Sequence, residues 1–288
     1  MKGSRLLVVV VVGVAGLFGC DYPALPALPD AQLAEPSCQG LPATCGPSGT
    51  DDCCNPGSMI VGGTYYRSYD KAGDSSSGNQ SYPATVSPFR LDKYEVTVGR
   101  FRAFVNAGKG TQVSPPGTGA GAHAAIAGSG WSAGWNANLT TNQAALMTAV
   151  KCSASYSTWT DTPGANEERP MNCLTWYEAM AFCIWDEGYL PTEAEWNYAA
   201  TGGSEQRAYP WSSPAGSLVL TALQASYYAR PDCVGDGLPG CAVTDLVRAG
   251  SKPMGTADGG NPTWPATCGN GLWTGMVLTS HHAQIAHR

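Results

Sequence analysis

The stretch Pro170-Met-Asn-Cys-Leu-Thr175-Trp-Tyr-Glu178-Ala-Met-Ala-Phe-Cys183-Ile-Trp-Asp-Glu-Gly188-Tyr-Leu-Pro191-Thr192-Glu193-Ala-Glu195-Trp196-Asn-Tyr-Ala-Ala-Thr-Gly202-Gly203, continued by Tyr209-Pro210-Trp211, reads as two capped helices joined by a corner. Thr175 with Glu178 three residues on is a capping box: the hydroxyl takes one orphan N–H and the carboxylate reaches back to another. Trp176, Ala179, Met180 and Cys183 recur at i, i+3, i+4 and i+7, the spacing of one buried helical face. Gly188 is expected to end the first helix in the left-handed conformation. Thr192 and Glu195 repeat the box behind Pro191, with Trp196, Ala199 and Ala200 turned inward, and Gly202-Gly203 stop the second helix. On residues alone, this is a core hairpin of helices before it is a catalytic site.

The run Leu190-Pro191-Thr192-Glu193-Ala194-Glu195-Trp196, then Tyr198-Ala199-Ala200, Gly202-Gly203 and Tyr209-Pro210-Trp211, resembles the signature of the formylglycine-generating enzyme (sulfatase-modifying factor) family. Pro170, Thr175-Trp176, Glu178-Ala179 and Cys183 fall where that family carries its upstream pattern. Working outward, Gly62-Gly63-Thr64-Tyr65 resembles its opening strand. Phe89-Arg-Leu91-Asp92-Lys93-Tyr94-Glu95-Val96-Thr97 resembles its strand-to-helix passage, and Val247 to Gly255 a later Gly-Ser-x-Pro turn. Trp264, Gly269, Asn270 and Trp273 echo the following segment faintly, so the resemblance covers about residues 60–270. It implies an α+β, loop-rich, disulfide-stapled fold related to C-type lectins, here C-terminally truncated.

Active members of the family oxidise a sulfatase cysteine to formylglycine with molecular oxygen, using two late cysteines that bind copper(I). Thiolates are the soft ligands that this ion prefers. Nothing here matches that pair, and Cys268 stands alone. The expectation is therefore a non-catalytic relative that binds a protein or glycan at the cell envelope, with no catalytic residues. The alternative is the copper-dependent oxidase with its catalytic segment lost by truncation or a frameshift near Trp273. The final residues, with His281, His282 and His287, read as a divergent tail.

The amino terminus carries Lys2 and Arg5 before an apolar run ending Leu17-Phe18-Gly19-Cys20. That run is short for a spanning helix and fits a lipoprotein signal, with Cys20 the lipidated residue. The expected organisation is a signal at 1–19, a Pro/Ala-rich tether at 20–37, a cysteine-rich segment at 38–57, the domain at 58–270 and the tail at 271–288. Without the signal, 14 basic residues face 22 acidic ones, a net charge of −8. No basic run remains, so nucleic-acid binding has no electrostatic support. The expected partners are a membrane, through the lipid, and an envelope ligand; the expected state is a monomer.

Besides Cys20 there are ten cysteines, an even set that in an exported chain reads as disulfides. Cys233 and Cys241 enclose a Gly/Pro-rich loop and form a candidate pair; adjacent Cys53 and Cys54 should bond different partners. Asp232, Asp236 and Asp245 lie in that loop. They are candidate calcium ligands or solvated turn carboxylates, since oxygen donors on a turning backbone suit calcium. Glu95 reads as an acid favoured by the start of the following helix, where Val98, Phe101, Phe104 and Val105 share a face. Residues 84–93 are expected as a strand, 108–130 as an exposed loop, and 142–150 as a short helix with Ala145, Leu146 and Ala149 turned in.

Overall fold

Thr97 starts the first helix. Its hydroxyl accepts the backbone N–H of Arg100 (3.3 Å) and starts helix α1, Val98–Asn106. Val98, Phe101, Phe104 and Val105 are buried, as their spacing requires. Glu95 lies two residues before this cap, outside the first turn, so the dipole reading of it does not hold. Burial instead pushes its carboxyl up to about 8. The computed structural model describes residues 35–67, 69 and 78–255. The readings at Cys20, the tether up to residue 34, Trp264, Cys268 and the tail with His281, His282 and His287 lie outside the described residues.

Helix α2, Gln143–Ala149, is capped by Asn142, whose side chain accepts from Ala145 N–H at 3.0 Å. Leu146 enters the core, but Ala149 is exposed: a helix of two turns reaches the core with Leu146 alone, and Val150 after it fills the next buried place. Helix α3, Trp176–Trp185, and helix α4, Glu193–Ala200, start at the two boxes the sequence spells. The main core lies between α1, α2 and α3. Phe101, Phe104 and Phe182 meet there with ring centroids 5.3–5.7 Å apart, flanked by Trp131, Trp159 and Met171. Each such ring contributes about 1.5–3 kcal/mol on burial, against about 1 kcal/mol for a helix cap. The aromatic core therefore fixes where the helices sit, and the caps fix where they begin.

Strand β1, Gly63–Tyr66, pairs antiparallel with β2, Pro83–Val86, in the register Gly63↔Val86 to Tyr66↔Pro83. The strand expected to reach residue 93 stops at Val86. Pro88 cannot donate to a ladder, and only single bridges, Ile60↔Phe89 and Pro56↔Asp92, continue the pairing. Tyr65, Val86, Phe89 and Leu91 form a second cluster with Tyr198 of α4. A short hairpin, β3 (Tyr227–Ala229) with β4 (Asp232–Val234), follows later. Residues 117–130 are largely exposed, yet the loop is pinned at its end: Gly119 N–H donates to Trp131 O (2.8 Å) and Trp131 N–H to Ala120 O (2.9 Å).

Four disulfides staple the described chain: Cys38–Cys54, Cys45–Cys53, Cys152–Cys173 and Cys233–Cys241. Cys53 and Cys54 do bond different partners, and Cys233 pairs with Cys241. Cys183 is buried in the main core. The cysteine-rich segment packs on later residues: Cys45 and Cys53 share a buried cluster with Tyr94 and Ala249. Arg100, with no exposed surface, donates to Asp186 (2.7 Å), Asp92 (2.8 Å), Glu35 (2.6 Å) and the Ser37 hydroxyl (2.8 Å). Ser37 in turn donates its N–H and hydroxyl to Asp186 at 2.8 and 2.7 Å. Three carboxylates thus share one guanidinium. Burial, then the neighbouring Asp92, pushes Glu35 up to about 8 against the pull of Arg100.

Candidate functional site

The corner between α3 and α4 gathers most of the residues singled out by sequence. At α3, the Thr175 N–H and hydroxyl donate to Glu178 Oε2 (2.9 and 3.0 Å), and Glu178 N–H returns to the hydroxyl (3.3 Å). Glu178 is buried, and that burial raises its pKa although Thr175 pulls it down. The helix ends one residue earlier than expected. Glu187, not Gly188, takes the left-handed conformation (φ 64°). Glu187 N–H reaches Ile184 O (3.3 Å) and Gly188 N–H reaches Cys183 O (2.8 Å). Those two bonds are a Schellman ending, in which the left-handed residue is the one before the second donor.

At α4 the same box has a second layer. Glu195 Oε2 accepts from Thr192 N–H (2.8 Å) and Thr192 hydroxyl (2.9 Å), and Oε1 accepts from His123 Nε2 (2.9 Å) and Tyr189 hydroxyl (3.1 Å). Burial works against the Glu195 charge, but the Thr192 N–H and hydroxyl together with His123 outweigh it, and its pKa falls below the ordinary value. Burial, and then Glu195, push Tyr189 up to about 12, so it stays a donor. His123 Nδ1 accepts the N–H of Ala125 (3.1 Å), which leaves the ring proton on Nε2, facing Glu195. Both ring nitrogens are hydrogen-bonded, and the trio ties the 108–130 loop to the start of α4. Sequence reading missed His123. It lies 72 residues from Glu195 in a Gly/Ala/Ser run with no periodicity to assign it a neighbour.

On the other side of the corner, Trp176 is 36% exposed, against the expectation of an inward face. As the first residue of α3 it leans back over the turn before the helix, and Ala179, Met180, Phe182 and Cys183 fill the core instead. Trp176 meets Trp135 edge-to-face (5.2 Å, 85°) and Tyr177 edge-to-face (5.2 Å, 87°). Trp135 continues to buried Trp131 (5.7 Å, 86°), whose Nε1 donates to Asn136 Oδ1 (2.8 Å). Trp196 and Pro191 are half-buried, and Glu193 is exposed in the first turn of α4, where the helix start favours an acid. Trp211 is buried, stacks on Tyr209 (5.2 Å, 17°) and donates to Val219 O (3.0 Å).

The candidate metal ligands lie elsewhere. Asp232 accepts from Gly240 N–H (2.8 Å), Asp236 from Leu238 N–H (2.8 Å), and Asp245 from Asp236 N–H (3.3 Å) and Ala242 N–H (2.9 Å). Each carboxylate holds a turn of its own loop. Among the described residues, the one group of three ligand-type side chains close enough to share an ion is Glu35, Cys38 and Cys54. Cys38 and Cys54 are bonded to each other, which removes the thiolates a metal would need. The described residues therefore do not assemble the paired thiolates of a copper(I) site. No helix among them is long and apolar enough to cross a membrane, and four disulfides mark an oxidising, extracytoplasmic compartment.

A model of the sulfatase-modifying factor enzyme 1-like domain matches residues 50–234. The chain is 28% identical over 206 residues to the formylglycine-generating enzyme of Thermomonospora curvata, covering 65% of this chain and 62% of that protein. It is 29% identical over 165 residues to the inactive C-alpha-formylglycine-generating enzyme 2 of Mus musculus, covering 54% of this chain and 50% of that protein. It is also 26% identical over 186 residues to the hercynine oxygenase of Mycolicibacterium smegmatis, covering 62% of this chain and 39% of that protein. The chain thus spans less than two thirds of the length of these relatives.

Proposed function

The chain belongs to the sulfatase-modifying factor enzyme 1-like domain family, and from that premise we propose that it is a non-catalytic binding module of the cell envelope, carried on a lipid at Cys20. The observation that carries this reading is the state of the described cysteines. Eight are taken up in four disulfides. Cys183 is packed among the aromatic side chains of the core. A soft-metal oxidase needs two neighbouring thiolates, and a disulfide offers none. A non-catalytic member is not foreign to the relatives, which include a protein named as inactive as well as named enzymes. What the fold keeps is a rigid corner with aromatic side chains at its surface, which suits holding a ligand without transforming it.

The second reading is the copper-dependent oxidase, favoured by the named enzymes among the relatives. Oxygen uptake by the purified full chain, loaded with copper(I) and given a Cys-x-Pro-x-Arg peptide, separates the two. No uptake above the peptide-free rate is expected, and turnover overturns the binding reading. The anchor is tested by membrane fractionation of cells making the chain with Cys20→Ala, which should move it from the membrane pellet to the soluble fraction. Retention of the variant in the pellet argues against the lipid.

A further inference from the structure

We propose that Glu35 is the proton-carrying catch of a clasp that holds residues 35–38 on α1 and on the end of α3, and that its ionisation loosens the clasp. The geometry starts from a surplus of acid. Glu35, Asp92 and Asp186 all accept from Arg100. Glu35 Oε2 and Asp186 Oδ2 take the same nitrogen, Nη2, at 2.6 and 2.7 Å. One guanidinium offsets one carboxylate, not three, and two anions meeting on one nitrogen repel each other. Asp52, in the cysteine-rich segment, adds a further negative charge to the surroundings of Glu35.

The carboxylates are not equivalent. Asp186 is fully buried and receives the Ser37 N–H (2.8 Å), the Ser37 hydroxyl (2.7 Å) and Arg100, donors that hold a carboxylate in its charged form. Glu35 Oε2 receives Arg100 and also lies 3.2 Å from Cys38 Sγ. That sulfur is bonded to Cys54 and bears no hydrogen, so it can only accept. A hydrogen bond between the two therefore needs the proton on Glu35. A protonated carboxyl donates to the sulfur while its oxygen still accepts from Arg100. An ionised one sets a negative oxygen against the lone pairs of the sulfur. Burial acts in the same direction, followed by Asp92, with Asp186 and Asp52 adding to it against the pull of Arg100, and the carboxyl is pushed up to about 8. The Glu35 side chain is 27% exposed, so solvent can deliver and remove the proton.

Release returns Glu35 to water and to its ordinary value of 4.5. A carboxyl whose pKa is higher when docked holds its proton more tightly there. The clasp is therefore full below 4.5, weakens by up to about tenfold per pH unit above it, and is lost as pH rises through about 8. Residues 35–38 carry the chain into the domain, so what comes loose is its entry. The device is independent of whether the domain binds or catalyses.

The full chain is followed from pH 4 to about 9.5 by carbon-13 NMR of the Glu35 carboxyl and by the exchange protection of the Ser37 amide, corrected for the intrinsic rate at each pH. The carboxyl should titrate at about 8 rather than 4.5. Ser37 protection should fall by about tenfold or more between about pH 6 and pH 9. Glu35→Gln keeps an acceptor for Arg100 and a hydrogen for the sulfur, and its protection should stay within about threefold over that range. Glu95 is also raised to about 8, so a fall that persists in Glu35→Gln places the effect elsewhere and overturns the inference. Asp92→Asn removes the foremost of the neighbouring negative charges and should move the midpoint to lower pH; it decides the matter if Glu35→Gln fails to fold. A Glu35 carboxyl that titrates at 4.5, a flat Ser37 protection in the parent chain, or a midpoint unmoved by Asp92→Asn also overturns the inference.

Discussion

The amino termini of α3 and α4 carry the same device, Thr-x-x-Glu, and the same reciprocal bonds, yet the two glutamates end in opposite electrostatic states. Glu178 receives the N–H and hydroxyl of Thr175, and burial raises its pKa. Glu195 receives the matching pair from Thr192 and, in addition, His123 and Tyr189, and its pKa is lowered. A local motif dictates where a helix starts. Whether its carboxylate is merely a cap or the hub of a long-range network depends on what the rest of the chain brings to its free oxygen.

The largest way to break this comparison is truncation. Glu195→Ala strands donors from three residues and should cost about 3 kcal/mol, whereas Glu178→Ala strands those of Thr175 alone and should cost about 1–2 kcal/mol, measured by denaturant unfolding. Equal losses would mean that the second layer at Glu195 contributes nothing.

Next in size is the pH response, at most about 1.4 kcal/mol per pH unit for one proton. For Glu195 the folded pKa is depressed, so its stabilisation is present above the ordinary 4.5 and lost as pH falls through the folded value. For Glu178 the folded pKa is raised, so its contribution is full below 4.5 and lost as pH rises through the folded value. Glu195→Gln should flatten the acid limb of a melting-temperature profile, and Glu178→Gln should flatten the fall that starts above 4.5. Matching profiles for the two variants would refute the contrast.

His123→Ala should cost about 1 kcal/mol and raise amide exchange in α4 and the 117–130 loop without changing it in α3. Faster exchange at α3 would show that the two caps are coupled. The smallest effect sharpens the comparison from below: Thr175→Ser and Thr192→Ser keep the hydroxyl and should each stay within about 0.5 kcal/mol of the parent.

The parts of the fold that were legible are those where near neighbours in sequence decide the outcome. Both boxes, the face of α1, the stop at Gly202 and the Cys233–Cys241 bridge depend on residues within a few turns of one another. The Schellman ending at Glu187 escaped because glycine was expected to take the left-handed place, while the hydrogen bonds put it one residue earlier. The spacing of Trp176 matches the buried face. Position at the helix start overrode periodicity. His123 and the Arg100 cluster are illegible for a different reason. Glu195 is 72 residues from His123, and Asp186, Glu35 and Ser37 are 86, 65 and 63 residues from Arg100, with only Asp92 near in sequence at 8; no local pattern encodes a meeting across the longer distances.

The Arg100 cluster has a mechanical consequence. Residues 35–37 are gripped by the fully buried guanidinium of Arg100 on α1, and Cys38 is tied onward to Cys54. A tug arriving from the amino-terminal side loads this lock directly. Parting the segment from the domain takes Glu35 and Ser37 off Arg100 and Asp186, while Asp92 and Asp186 stay on the guanidinium. Beyond those contacts the Cys38–Cys54 bridge still carries the load covalently to residue 54, so a pull on the segment is taken up by the cysteine-rich turn before it reaches β1.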